Sequence, residues 1–278
     1  MLFHTLSAVA VLSAVLPTAL AQTHTACQPL NTTNCPDMPA LGGNATFYFN
    51  QTLYDDLFKK VNAGKVDWAE KGVSFTIAES GDSPQINSDF YMLFGRLEVV
   101  MRAAKGSGII STAILQSESL DEIDWEFIGG NSSRVFTNYY GKGNLMEPPA
   151  SIRGADYPSV SPFDDFHNYT IDWTKDRIQW WMDDKQLREV KYAEPTGGYH
   201  YPQTPMNIRI GIWAAGDEAK NGKGVVEWAQ GKTDFKEGPF SMVVQQVYAQ
   251  DYTSAKSYSW NNAKAPVSGN WQDIKVIE

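Results

Sequence analysis

In Asp121-Glu122-Ile123-Asp124-Trp125-Glu126-Phe127, three carboxylates alternate with three large apolar side chains from Glu122 onward. Successive side chains of a β-strand point to opposite faces. As a strand, this stretch puts Glu122, Asp124 and Glu126 on one face and Ile123, Trp125 and Phe127 on the other. The apolar face anchors the strand in a core. The acidic face presents three carboxylates together, which like-charge repulsion makes costly unless a chemistry uses them. A merely solvated acidic strand face is the competing reading, and the burial demanded by Ile123 and Trp125 argues against it.

Glycoside cleavage is the chemistry that fits, because it needs one carboxylate as nucleophile and one carboxylic acid as proton donor. A retaining mechanism places the two groups roughly 5 to 5.5 Å apart. Glu122 and Glu126 have Cα atoms about 13 Å apart in a strand, so their side chains must lean together across Asp124. Asp124 is then placed to hydrogen-bond one of them and, by its charge, to help keep the other protonated.

Outward from this motif the chain is strand-like. Strands are expected at 90–94 and 96–101, then at 109–115, 122–128, 134–140, 168–173, 178–182, 206–213, 224–228 and 242–248. Gly, Pro, Asn and Asp between them suggest an all-β sandwich. A short helix is expected over 53–61. Segments 141–163 and 216–224 are long enough for loops at a cleft edge. The 278 residues, 42% hydrophobic, suffice for one sizeable core. The 9 Trp and 13 Tyr suit either a sugar-stacking cleft or a well-filled β core. A net charge of -9 with no basic run excludes a nucleic-acid binder.

The N-terminus reads as a targeting segment. An apolar and small-residue run from Leu6 to Leu20 ends in Ala19-Leu20-Ala21, which predicts a signal peptide over 1–21. It is short and interrupted by Pro17, so no membrane span is expected in the mature chain. Sequons at Asn31, Asn44, Asn50, Asn131 and Asn168 agree with secretion and mark expected glycosylation sites. Residues 22–43 read as a polar arm, and 44–278 as one catalytic domain. Cys27 and Cys35 are the only cysteines, and in an oxidising compartment they are expected to pair. His4, His24, His167 and His200 lack metal-ligand spacing, so neither metal nor cofactor is expected.

In Asn207 to Trp213, Ile208, Ile210 and Ile212 share a core face. Asn207, Arg209, Gly211 and Trp213 share the other. There Trp213 can stack on a pyranose and Gly211 leaves room for it; a salt-bridging Arg and a core Trp are the alternative. Asn138 and Tyr140 also share a strand face and could reach substrate, with packing an equal alternative for Tyr140.

At this point the residues resemble a known family. Glu122 to Glu126 matches the E-x-D-x-E signature of glycoside hydrolase family 16. The longer run Asp121 to Glu126 is similar to the fungal Crh subgroup of chitin–glucan transglycosylases. Further similar segments are Gly95-Arg96-Leu97-Glu98-Val99, Thr137 to Gly143, Phe166 to Trp173, Pro202 to Met206 and Gly224 to Ala229. The pair Cys27 and Cys35 also looks like the Crh arrangement. The resemblance implies a concanavalin-like β-jelly-roll sandwich with a substrate cleft on its concave sheet. It implies Glu122 as nucleophile, Glu126 as general acid/base in contact with substrate, and Asp124 as their support. It places Arg209 and Trp213 in the sugar cleft. It also aligns Val225 with a chitin-binding Thr, so one hydroxyl is lost there. The implied activity is retaining cleavage of chitin and transfer to β-glucan or chitin, by a secreted and monomeric enzyme of the cell wall. A β-glucan endo-hydrolase of the same family and a non-catalytic lectin are the alternatives, and the intact triad of acids argues against the lectin. No GPI signal is visible at Val276-Ile277-Glu278.

Overall fold

A computed structural model describes residues 24–51, 54–144, 154–261 and 266–278. The expected signal peptide lies outside these residues. Strands are numbered in chain order. One sheet holds β3 (Phe58–Val61), β6 (Gln85–Met92), β8 (Ile109–Ser117), β9 (Glu122–Ile128), β10 (Arg134–Tyr140), β11 (Ala155–Pro158) and β15 (Met206–Ala214). Its spatial order is β11-β10-β9-β8-β15-β6-β3. The opposite sheet holds β2 (Asn44–Tyr48), β4 (Lys65–Ala69), β5 (Gly72–Ile77), β7 (Gly95–Arg102), β12 (His167–Trp173), β13 (Arg177–Met182), β14 (Lys185–Lys191) and β16 (Phe240–Asp251). Its order is β14-β13-β12-β7-β16-β5-β4, with β2 paired to β16. A third, small sheet joins β1 (Met38–Pro39), β17 (Ser257–Trp260) and β18 (Ile274–Ile277). All strand pairs are antiparallel. This is the expected all-β jelly-roll sandwich.

The core lies between the two large sheets. Ile123, Trp125 and Phe127 of β9 and Ile208, Ile210 and Ile212 of β15 are fully buried in it. The alternation read from sequence therefore sets which face of each strand is inside. Two indoles then cross the core. Trp125 Nε1 donates to the Thr170 carbonyl on β12 at 3.1 Å, and Trp180 Nε1 on β13 donates to the Asp124 carbonyl on β9 at 3.0 Å.

Three sequence expectations are corrected. The helix over 53–61 is not formed: the described part is a turn followed by edge strand β3, which pairs with β6. Phe58 packs edge-on against Phe47, Phe49 and Phe90, while Leu57 is 41% exposed, so no helical apolar face exists. The strand over 224–228 is instead a helix, α1 (Lys223–Trp228). There Val225, Trp228 and Ala229 come onto one side at three- and four-residue spacing and pack on Ile110, Ile128 and Trp213. The long loop 141–163 contains strand β11, which adds an edge to the carboxylate sheet.

Asp121 departs from the acidic face. It shares the parity of Ile123 and is fully buried at the end of the β8–β9 turn. Its carboxylate accepts from the Lys142 and Gln203 backbone N–H groups at 2.8 and 2.9 Å and from the Thr204 hydroxyl at 2.7 Å. It thus ties two loops to the start of β9. Asp121→Ala would leave these buried donors without an acceptor and is expected to cost about 2 to 5 kcal/mol of stability in urea unfolding. Burial pushes the Asp121 carboxyl above its ordinary range. A raised folded-state value means a contribution fully present below the unfolded pKa and lost as pH rises through the folded one. The gap between wild type and Asp121→Ala should therefore be widest in acid and narrow as pH rises. A gap that widens with pH would contradict this account.

Candidate active site

Strand β9 pairs in unbroken register with β8 on one side and β10 on the other. No bulge re-aims its side chains, so Glu122, Asp124 and Glu126 do share one face. Glu122 is 7% exposed, Asp124 2%, and Glu126 is half-buried. With Cα atoms about 13 Å apart along an unbulged strand, Glu122 and Glu126 can meet a common sugar only by leaning across Asp124.

The registers sort this face into rows that cross the strands. One row runs Tyr91, Asn207, Gln116, Glu122, Tyr140. The next runs Asn87, Arg209, Ile114, Asp124, Asn138, and the third Gln85, Gly211, Thr112, Glu126, Phe136. A fourth holds Trp213, Ile110 and Ile128. The face is thus polar at the Glu122 end and apolar beyond Glu126.

At the polar end, Gln116 Nε2 donates to Glu122 Oε2, and Gln116 Oε1 accepts from Arg209 Nη1. Asn138 Nδ2 donates to the Tyr140 hydroxyl at 3.1 Å, and both face the same side as the carboxylates. Arg209 lies on this face but is only 2% exposed. Its Nε donates to Asn207 Oδ1 at 2.9 Å and its Nη1 to the His24 carbonyl at 3.0 Å. Burial pushes its guanidinium below the usual value, while Glu118 and Glu122 push it back up.

At the apolar end, Trp213 is 9% exposed and belongs to a cluster separate from the sandwich core, stacked on Trp228 of α1 with ring centroids 6.2 Å apart. Gly211 does not serve Trp213: a Cβ there would stand 2.8 Å from Pro84 O and from Gln85 Cβ, so the missing side chain admits the neighbouring strand. Val225 packs on the same apolar cluster. Beside it lies a cavity of about 130 Å³ lined by Ile128, Asn131, Arg134, Phe136 and Trp228 among others.

Cys27 and Cys35 form a disulfide. Asn31, Asn44 and Asn50 are exposed, and Asn131 partly so. Asn168 is the second residue of β12, with Nδ2 donating to Glu98 at 3.0 Å, and the Thr170 of its sequon is buried. Among the described residues no three His, Cys, Asp or Glu side chains are grouped as metal ligands.

Sequence reasoning missed Gln116, Tyr91, Glu118 and Trp228. Gln116 was within reach of it: a tight turn over 118–121 pairs β8 with β9 and sets Gln116 opposite Glu122. Glu118 and Tyr91 carry no local signal, because their partners are distant in the chain.

The sandwich and its acid-bearing strand are those of a family of glycosyl hydrolases. Residues 53–230 match the family described as Glycosyl hydrolases family 16, and the chain belongs to that family. Over its whole length of 278 residues it is 46% identical to Crh-like protein 2 of Botryotinia fuckeliana (strain B05.10), of which it spans 60%. It is also similar to the solved structure of the apo Crh5 transglycosylase, with a TM-score of 0.84 and 43% identity over 90% of this chain and 100% of that one. The Crh5 transglycosylase in complex with NAG matches with a TM-score of 0.83 and 43% identity over 90% of this chain and 99% of that one.

Trp213→Ala is expected to weaken chitooligosaccharide binding several-fold while unfolding stays cooperative and Tm falls by only a few degrees, since the cluster is separate from the main core. Calorimetry with tri- to pentasaccharides checks the first part and a thermal melt the second. A chain that fails to fold would mean that Trp213 serves the core.

Proposed function

We propose that this protein is a cell-wall transglycosylase that cleaves β-1,4-linked N-acetylglucosamine polymers with retention and passes the fragment to a β-glucan or chitin hydroxyl. The observation that carries this reading is the unbulged strand β9, with Glu122, Asp124 and Glu126 on one face of a family 16 sandwich. Support for transfer, and for an N-acetylglucosamine donor, comes from its 43% identity to a transglycosylase that binds NAG.

In the first step a Glu122 oxygen bonds to the anomeric carbon as the glycosidic C–O bond breaks, and the Glu126 proton passes to the leaving oxygen. In the second, Glu126 takes the proton of an acceptor hydroxyl. That oxygen bonds to the anomeric carbon and Glu122 leaves as carboxylate. Asp124 sits between the two and orients them. The apolar row beyond Glu126 offers a sugar its hydrophobic face and excludes water. This favours a carbohydrate hydroxyl over hydrolysis. Such an enzyme acts outside the cell, in line with the disulfide and with exposed Asn31, Asn44 and Asn50 as glycan acceptors. Among the described residues no helix is long and apolar enough to cross a membrane.

Glu122→Gln and Glu126→Gln are each expected to lower kcat by roughly 10²- to 10⁴-fold or more with circular dichroism unchanged, since an amide supplies neither role. Asp124→Asn should lose less than either. The assay follows a labelled chitooligosaccharide acceptor into polymer and separates transfer from hydrolysis by product size. Near-wild-type turnover in either Glu variant would overturn the assignment, and water as the main acceptor would make the protein a hydrolase.

A further inference from the structure

The N-terminal arm reaches Glu122 through two side chains. Glu118, in the turn between β8 and β9, holds the arm. Its Oε2 accepts from the Thr25 hydroxyl, from the Ala26 N–H at 3.0 Å and from the Cys27 N–H at 3.5 Å. Its Oε1 accepts from the Tyr91 hydroxyl at 2.8 Å. The Cys27–Cys35 disulfide closes the arm just behind these contacts. Held this way, the arm lays the His24 carbonyl 3.0 Å from Arg209 Nη1. The same nitrogen donates to Gln116 Oε1, and Gln116 Nε2 donates to Glu122 Oε2.

Of these groups, the Gln116 amide is the one with a choice of orientation. Flipped, it would turn its oxygen toward the Glu122 carboxylate and its N–H groups toward a guanidinium, which has donors only. Arg209 therefore decides which way the amide points. Arg209 is itself fixed by Asn207, whose Nδ2 donates to the Ser88 carbonyl at 3.2 Å. The His24 carbonyl takes a guanidinium N–H that water would otherwise solvate. Burial and Arg209 push the His24 ring below its ordinary range, so the arm brings no second cation near Arg209.

We propose that the arm residues His24 to Cys27, with Glu118, Arg209 and Gln116, are positioning elements of the reaction. They hold one oxygen of Glu122 by an amide N–H, so that the other attacks the anomeric carbon. The same N–H stabilises the carboxylate as it leaves in the second step. This rests on Glu122 being the nucleophile.

The test uses the full chain with single-turnover formation of the glycosyl-enzyme beside steady-state kinetics. Gln116→Leu is expected to lower kcat roughly 10- to 100-fold with the donor KM within about twofold, as loss of one hydrogen bond to a charged group implies. Glu118→Ala should lower kcat roughly 5- to 10-fold by releasing the arm. Glu118→Gln should recover most of that loss, since its amide oxygen still accepts from Thr25 and Ala26. A structural role alone would lower Tm or raise KM and leave single-turnover glycosylation intact, and that result overturns the proposal. Glu122→Gln runs in the same assay. If it turns over, the nucleophile assignment falls and this proposal with it. If it is inactive while Gln116→Leu and Glu118→Ala match wild type, the positioning proposal alone falls.

Discussion

Two indole N–H groups tie strand β9 to the sheet across the core, Trp125 to the Thr170 carbonyl and Trp180 to the Asp124 carbonyl. Apolar packing between sheets is non-directional and tolerates sliding, whereas a buried hydrogen bond has one good geometry. These two bonds run in opposite senses, one donated by β9 and one accepted by it. They set where β9 lies over β12 and β13, and an indole N–H left without its carbonyl in this core would carry a full desolvation penalty. The placement of three acids on the outer face of β9 follows from the anchoring of its inner face.

That outer face is costly in isolation, and its neighbours divide the burden. Arg209, buried two strands away, brings the positive charge, and Gln116 relays it to Glu122 as an oriented amide. Asp121 is next in sequence to Glu122 but points to the other side, where it fastens loops. Two adjacent carboxylates thus serve unrelated ends, and only strand parity separates them.

The same parity explains what the sequence made legible. Alternation in 122–127 and 207–213 was enough to assign both faces of β9 and β15 and hence the sandwich. It also separated Glu122, Asp124 and Glu126 from Asp121. It failed where the apolar spacing was short or ambiguous. Leu53, Leu57, Phe58 and Val61 mimic a helical stripe, yet Phe58 belongs to an aromatic cluster assembled from four strands and loops. Val225 and Trp228 sit in a stretch with too few residues for a period to show, and the six-residue helix there packs on Trp213. Gly211 was given a reason on its own strand, but the reason lies on β6. The hold of Glu118 on the arm was out of reach for a similar reason: its partners are about 90 residues earlier in the chain, and local pattern carries no information about such pairs.

The row geometry separates two regions of the same sheet face. Rows about 6.7 Å apart along the strands keep the groups around Glu122 apart from the apolar surface around Trp213. The first is built from strands and the N-terminal arm, the second from the far ends of β8, β9 and β15 together with α1. A substitution at Val225 therefore alters a packing cluster that shares no row with Glu122. The two ends of this face can thus be altered separately, one by changing side chains around Glu122 and the other by changing those that pack on Trp213.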